Sequence, residues 1–108
     1  IDLLRKNSER VDTAMLYVSD HGESLGEKGL YLHGTPYLLA PEEQTHIPAM
    51  MWFSPNYARQ SRIDLACLHA AKNKPYSHDN LFHSMLGLLQ IQTEVYDKKL
   101  DWFAPCRQ

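Results

Sequence analysis

The sequence predicts an α/β fold in which buried strands pack against helices. Two short apolar runs, at residues 13–18 (TAMLYV) and 47–53 (IPAMMWF), have the length and evenness of strands covered on both faces, as in a parallel sheet. Residues 75–90 repeat apolar side chains at helical spacing and make one broad stripe. Strand, long loop, strand and packed helix in alternation are typical of an α/β sandwich.

The remaining elements follow from local signals along the chain. Residues 1–9 suit the last turns of a helix, and the glycine-rich segment 19–35 is predicted to be a loop. Two prolines bracket the turn predicted at 35–41, and Pro55 favours a single helical turn over 55–62. Ser77 is the predicted N-cap of the helix at 75–90. The tail has four side chains that could dock it: Tyr96, Leu100, Trp102 and Phe103.

Composition narrows the class of protein. The chain has 108 residues, 44% hydrophobic and 22% charged, with a net charge of −2, which is a soluble, globular composition. No apolar run approaches the roughly 18 residues that cross a bilayer. The near-neutral charge balance gives no electrostatic case for nucleic acid. Because the chain opens with Ile1 inside what reads as a helix end, we expect a piece of a larger protein.

The two cysteines, Cys67 and Cys106, are too few for a disulfide scaffold. They share no CxxC spacing, which argues against a thiolate zinc site. We expect them to be unpaired thiols, while a single disulfide that pins the C-terminus stays open as the alternative.

The stretch from Tyr17 to Gly34, YVSDHGESLGEKGLYLHG, holds the candidate chemistry. Asp20 and His21 follow the first predicted strand, and ligands in open α/β sheets sit beyond the carboxyl ends of strands. A carboxylate and an imidazole are ligand types that a catalytic Zn²⁺ takes. His33 returns twelve positions later, and glycines let the backbone bend between them. The sequence therefore predicts a zinc site.

The other polar groups receive a plainer interpretation. Glu23 and Glu27 are interpreted as a solvated loop face, although each remains a candidate ligand, and Ser24 lacks the GxSxG spacing of a serine hydrolase. No threonine shows a motif that marks a nucleophile. His46 is a further candidate ligand, although its place before Ile47 at a strand entrance is more typical of a structural histidine. Three histidines on helical segments are interpreted as groups without a ligand role: His69, His78 and His83.

Three segments carry a resemblance to a known family. YVSDHGESLGEKGLYLHGTPY, APEEQTHIPAMMWFS and YSHDNLFHSMLGLL resemble the C-terminal part of bacterial phosphoethanolamine transferases, which include lipid A-modifying and mobile colistin-resistance enzymes. The wider group is the alkaline phosphatase and sulfatase superfamily, with an α/β/α sandwich. The resemblance implies that residues 1–108 are the C-terminal portion of a single periplasmic sulfatase-like catalytic domain. It places five transmembrane helices and the first part of the domain upstream.

The resemblance also implies roles for three residues. Asp20 and His21 align with the pair that binds the catalytic zinc, and His33 aligns with a histidine beside the transferred phosphate that can bind a second zinc. In the implied mechanism a threonine hydroxyl, which zinc would activate, attacks the phosphate of phosphatidylethanolamine, and diacylglycerol leaves. A lipid A phosphate then takes the phosphoethanolamine group from the threonine, whose hydroxyl is restored. His33 would hold the phosphate or act as an acid for the leaving group.

The implied location is the periplasmic face of the Gram-negative inner membrane. The product carries a new amine, so cationic peptides such as polymyxins would bind the cell surface less well. We expect the isolated 108 residues to be inactive, because the threonine and a glutamate zinc ligand lie upstream in the family. Two alternatives stay open: a related sulfatase or phosphodiesterase, and a non-catalytic metal-binding module.

Overall fold

The computed structural model describes residues 1–108 and contains five α-helices, four strands and two short 3₁₀ helices. The predicted strands at 13–18 and 47–53 and the predicted helices at 1–9, 55–62 and 75–90 are confirmed within a few residues. In chain order the elements are α1 Asp2–Asn7, β1 Ala14–Val18, β2 Ser24–Leu25, β3 Tyr31–Leu32, α2 Glu42–Thr45, β4 Ala49–Phe53, α3 Pro55–Gln60, α4 Leu65–Ala70 and α5 Asp79–Leu88, with 3₁₀ helices at Glu27–Gly29 and Ala104–Cys106.

The two longer strands pair with each other in an antiparallel sheet. The register runs from Ala14 opposite Phe53 to Val18 opposite Ala49. The expected parallel pairing is therefore wrong for these strands, because residues 19–48 return the chain to the same sheet edge without a crossover helix. The end of β1 and the start of β4 consequently lie side by side. β1 is also only half-buried rather than covered on both faces.

The segment at 19–35 is more ordered than the predicted loop. β2 and β3 form a small antiparallel ladder in which Ser24 lies opposite Leu32 and Leu25 opposite Tyr31. A 3₁₀ turn at Glu27–Gly29 joins them. The predicted turn at 35–41 is confirmed, and Leu39 and Ala40 donate backbone hydrogen bonds to the Pro36 carbonyl.

The core gathers side chains from β4, α3, α5 and the tail. Phe103 is fully buried and meets Phe53 edge-on, with ring centroids 5.7 Å apart. Trp102 is also buried, so the docking of the tail is confirmed. The α5 stripe is only partly covered, since Leu88 is buried whereas Phe82 is 54% exposed. None of the helices combines the length and apolar composition that crossing a bilayer requires.

Two helix starts test the predicted caps. At α3 the Ser54 hydroxyl accepts from the Tyr57 amide at 3.2 Å, with Pro55 at the first helical position as predicted. At α5 the N-cap position is His78, so the assignment of Ser77 is wrong by one residue. The Ser77 hydroxyl still accepts from the Asp79 amide, at 3.2 Å.

Cys67 and Cys106 form a disulfide, with their Cα atoms 5.5 Å apart. The expectation of unpaired thiols is therefore wrong, and the alternative of a bridge that pins the tail is right. Cys67 lies on α4, the helix that also carries His69, which was expected on a helical segment. The Asp64 amide before α4 donates to the Cys106 carbonyl at 2.8 Å, which brings the two cysteines together.

Candidate metal and phosphate site

The candidate site begins where β1 ends, at Asp20 and His21. Ser19 fixes this point, because its amide donates to the Pro48 carbonyl at 3.2 Å and its hydroxyl donates to the His21 carbonyl at 2.8 Å. Nε2 of His78, at the start of α5, bonds the Ser19 carbonyl at 2.9 Å. Two other segments, at Pro48 and His78, therefore hold the backbone that presents the pair.

The side chains of Asp20 and His21 lie close enough to share an ion. Oδ2 of Asp20 is 3.8 Å from Nε2 of His21, and Oδ1 accepts from the His21 amide at 3.1 Å. Two ligands of a tetrahedral zinc with bonds of about 2.0–2.1 Å lie about 3.4 Å apart. The two ligand atoms would need to move only about 0.4 Å closer together to share a zinc ion, so the donor set and the spacing fit zinc. Its assignment to zinc stays a prediction.

His33 lies beside His21. Their rings stack with centroids 3.8 Å apart and an interplanar angle of 29°. Leu32, the residue before His33, has φ of 66°, in the left-handed region that a bulky side chain rarely adopts. Such strained backbone is found most often at functional sites. The two histidines that the sequence singled out are therefore brought together across twelve residues.

Glu23 joins the two histidines in one cluster. Its Oε2 is 3.1 Å from Nδ1 of His33, and His21, Glu23 and His33 offer ligand atoms that all lie within 4.8 Å of one another. Glu23 is exposed, as expected of a solvated loop face, and its carboxylate also contacts His33. Its spacing was the available signal, because residues two apart in extended chain point to the same side.

Glu27 has a local structural role instead. Its Oε2 accepts from the Leu25 amide at 2.7 Å across the tight turn. Hydrogen bonds from backbone amides, chiefly its own and that of Leu25, lower the pKa of the Glu27 carboxyl. Glu27 lies outside the His21–Glu23–His33 cluster and is part of the turn.

A buried amide supports the loop from beneath. Gln44 on α2 donates from Nε2 to the Ser24 hydroxyl at 2.9 Å, and its Oε1 accepts from the Thr35 amide at 3.2 Å. Its backbone carbonyl accepts from the Gly22 amide at 3.0 Å. A Cβ at residue 22 would overlap the carbonyl of Glu43, so glycine lets the loop lie against α2. Ser24 is 1% exposed and its hydroxyl accepts from Gln44, so it is not available to a substrate from solvent.

Three of the remaining histidines, at 46, 69 and 83, lie away from the cluster, whereas His78 contacts the Ser19 carbonyl beside Asp20. His46 pairs with Glu42 one helical turn earlier, at 3.0 Å, on the exposed side of α2. Nδ1 of His83 accepts from the Asp97 amide at 3.0 Å. His69 borders an apolar cavity of about 500 Å³ between β4 and α4, which none of the site residues lines.

Comparisons with known proteins agree on one family. A family model described as Sulfatase matches residues 1–91. Phosphoethanolamine transferase EptA of Salmonella typhimurium is 47% identical over 109 aligned positions, covering 100% of this chain and 20% of that protein. Phosphatidylethanolamine transferase Mcr-1 of Escherichia coli is 58% identical over 94 positions, covering 87% of this chain and 16% of that protein.

A solved structure agrees with the sequence relatives. The crystal structure of the soluble domain of lipooligosaccharide phosphoethanolamine transferase A from Neisseria meningitidis superimposes with a TM-score of 0.89 at 44% identity. The match covers 99% of this chain and 33% of that domain, and it confirms the predicted fold class. The chain spans about a fifth of the length of the curated relatives it matches.

Proposed function

Because the chain belongs to the sulfatase family, matched over residues 1–91, we propose that it forms part of a longer, zinc-dependent phosphoethanolamine transferase. One observation carries the proposal. A carboxylate and two imidazoles converge at the end of β1 in a chain 47% identical to a phosphoethanolamine transferase. The same ligand types suit a metal-assisted phosphoryl-group transfer.

The proposed donor is phosphatidylethanolamine, and the proposed acceptor is a phosphate of lipid A. Relatives named as phosphoethanolamine transferases, among them Kdo(2)-lipid A phosphoethanolamine 7''-transferase of Escherichia coli at 37% identity, support this substrate class. The nucleophile would be a threonine supplied by another part of the enzyme, and a phosphoethanolamine-threonine intermediate would separate the two transfers.

Asp20 and His21 would hold the zinc ion, Asp20 through a carboxylate oxygen and His21 through Nε2. When bound, zinc supplies Lewis-acid activation of the hydroxyl and neutralises charge on the phosphate. Both atoms face the same space, since Oδ2 and Nε2 are 3.8 Å apart. Asp20 is 88% exposed at its side chain, so it is free to turn toward an ion.

His33 would act on the phosphate. Nε2 of His33 has no protein partner, whereas Nδ1 is bonded to Glu23. That free nitrogen can hold a phosphate oxygen or pass a proton to the leaving oxygen. Its stacking on His21 places it within reach of any group held by the zinc pair. A second zinc ion is an alternative occupant of the same nitrogen.

The reaction would take place on the periplasmic face of the Gram-negative inner membrane, where donor and acceptor lipids are both accessible. A relative from Neisseria meningitidis that covers 99% of this chain is described as an integral membrane protein, which supports a membrane setting. The product gains an amine, which lowers the negative charge of the cell surface and weakens the binding of polymyxins.

A transfer assay on the intact protein tests the proposal. We expect transfer from fluorescent phosphatidylethanolamine to lipid A, loss of that transfer in His33→Ala, and retention in His46→Ala, whose histidine lies away from the cluster. Hydrolysis of sulfate or phosphate diesters without transfer to lipid A would replace the proposal with the hydrolase alternative. Clear turnover by the 108 residues alone would contradict the need for groups from elsewhere in the enzyme.

A further inference from the structure

Glu23 lies where it can determine which nitrogen of His33 faces the site. Its Oε2 is 3.1 Å from Nδ1 of His33, ten residues along the chain. An ionised carboxylate accepts hydrogen bonds and donates none. With the carboxylate as acceptor, Nδ1 of His33 is the donor of this contact, and Nε2 is the nitrogen left without a protein partner.

His21 shows the same arrangement with a different partner. Its Nδ1 lies 2.9 Å from the Gly22 carbonyl, which also only accepts, so Nε2 is again the nitrogen left free for a ligand. The two stacked rings therefore both direct their Nδ1 atoms to protein acceptors. Histidines that bind metals or phosphates commonly have their second nitrogen fixed in this way by a carboxylate or a carbonyl.

The backbone on both sides of Glu23 is held firmly. The Gly22 amide before it donates to the Gln44 carbonyl at 3.0 Å. Ser24 after it is 1% exposed, and its hydroxyl accepts from Nε2 of Gln44 at 2.9 Å. Glu23 thus projects from a fixed support rather than from a free loop, which a residue that orients another side chain needs.

We propose that Glu23 is a positioning residue that keeps Nδ1 of His33 as the protonated nitrogen that it binds, so that Nε2 is the nitrogen that faces the transferred phosphate and exchanges a proton there. This inference rests on the proposed transferase function for the identity of the phosphate. The competing role for Glu23 is that of a metal ligand, because its carboxylate lies within 4.8 Å of ligand atoms on His21 and His33.

Two substitutions separate these roles. Glu23→Gln keeps an oxygen that accepts from Nδ1 of His33 but makes a poor zinc ligand, whereas Glu23→Ala removes both abilities. Glu42→Ala is the matched control, because it removes the carboxylate of another exposed pair, Glu42–His46, whose contact of 3.0 Å is similar in length and lies away from the site.

The first readout is the tautomer of His33 in the intact protein, measured by NMR on ¹⁵N-labelled histidine with zinc removed. We expect the Nδ1–H form in the wild type and in Glu23→Gln, and loss of its dominance in Glu23→Ala. An unchanged His33 tautomer in Glu23→Ala would overturn the inference. This readout needs no substrate, so its result does not depend on whether the transferase proposal is correct.

The second readout is transfer kinetics. We expect Glu23→Ala to lower kcat by about 10–100-fold with little change in the KM for the donor lipid, Glu23→Gln to restore most of the rate, and Glu42→Ala to match the wild type. Equal losses in both Glu23 variants, together with lower zinc content, would identify Glu23 as a metal ligand and overturn the positioning role. If the wild type transfers nothing, the proposed function fails, while the tautomer result still decides the role of Glu23.

Discussion

Nε2 of Gln44 donates to the hydroxyl oxygen of Ser24 across 2.9 Å, and this buried bond connects α2 to the base of the candidate site. The same amide group accepts from the Thr35 amide at its other end. Ser24 and Thr35 flank the segment that carries His33. A single side chain on a four-residue helix therefore supports both ends of the loop on which the proposed chemistry depends.

Replacing Gln44 with alanine should destabilise the protein and loosen the site. The change leaves the buried Ser24 hydroxyl and the Thr35 amide without their partner, which costs about 1–3 kcal/mol. Chemical denaturation measures this loss. Gln60→Ala is the control, because Gln60 is an exposed glutamine on α3, and it should change stability little. Equal stabilities of the two variants would contradict the supporting role of Gln44.

Gly22→Ala should move His21 away from its position. A Cβ at residue 22 would overlap the backbone of Glu43, so the loop and α2 must separate, at a cost of about 1–3 kcal/mol. We expect zinc affinity to fall in the intact protein. Gly29→Ala is the control, since no atom lies within 4 Å of the Cβ that it would add. It should lower stability only through the positive φ at residue 29, by about 1–2 kcal/mol. Unchanged zinc affinity in Gly22→Ala would count against the close contact.

Reduction of the Cys67–Cys106 disulfide should lower the free energy of unfolding, with little effect on the geometry of the candidate site. The bridge closes a loop of 39 residues, and the chain-entropy relation gives about 4 kcal/mol for that length. Denaturation with and without a reductant measures the effect, with the double variant Cys67→Ser, Cys106→Ser as the insensitive control. A reduced protein as stable as the oxidised one would show that hydrogen bonds such as Asp64 to Cys106 suffice to hold the tail.

Loss of the Tyr96 proton in strongly alkaline solution should lower the free energy of unfolding. Burial, and then the hydrogen bond that its hydroxyl donates to Asp101 at 2.7 Å, raises the pKa of Tyr96 from 10.0 to about 12. The folded state binds this proton more tightly, so the stabilisation is complete below about pH 10 and is lost as the pH rises toward about 12. Unfolding measured across that range should decline more steeply in the wild type than in Tyr96→Phe. Identical slopes would contradict the raised pKa.

How far the sequence predicts this fold depends on the length of each element. The runs at 13–18 and 47–53 and the stripe at 75–90 are long enough to show a hydrophobic pattern, and all three were found. β2 and β3 have two residues each, too few for any period to be visible. The antiparallel pairing of β1 with β4 depends on the path of residues 19–48, which no local pattern specifies.

The features of the candidate site also divide into those that the sequence reveals and those that only the fold reveals. Asp20, His21 and His33 could be singled out because a distinctive motif contains them. The contact between Glu23 and His33 was not predicted, because ten residues separate them and only the β2–β3 ladder brings them together. The disulfide was missed because the two cysteines are 39 residues apart, and their meeting depends on α4 and the tail.

Zinc binding by the intact protein tests the central claim most directly, since it asks whether Asp20 and His21 hold the ion. Calorimetric titration of the metal-free wild type should show zinc binding. Asp20→Ala and His21→Ala should each weaken it by at least about 10-fold. His46→Ala, which removes an exposed histidine paired only with Glu42, should bind zinc as the wild type does. Wild-type zinc affinity in both Asp20→Ala and His21→Ala would contradict the account.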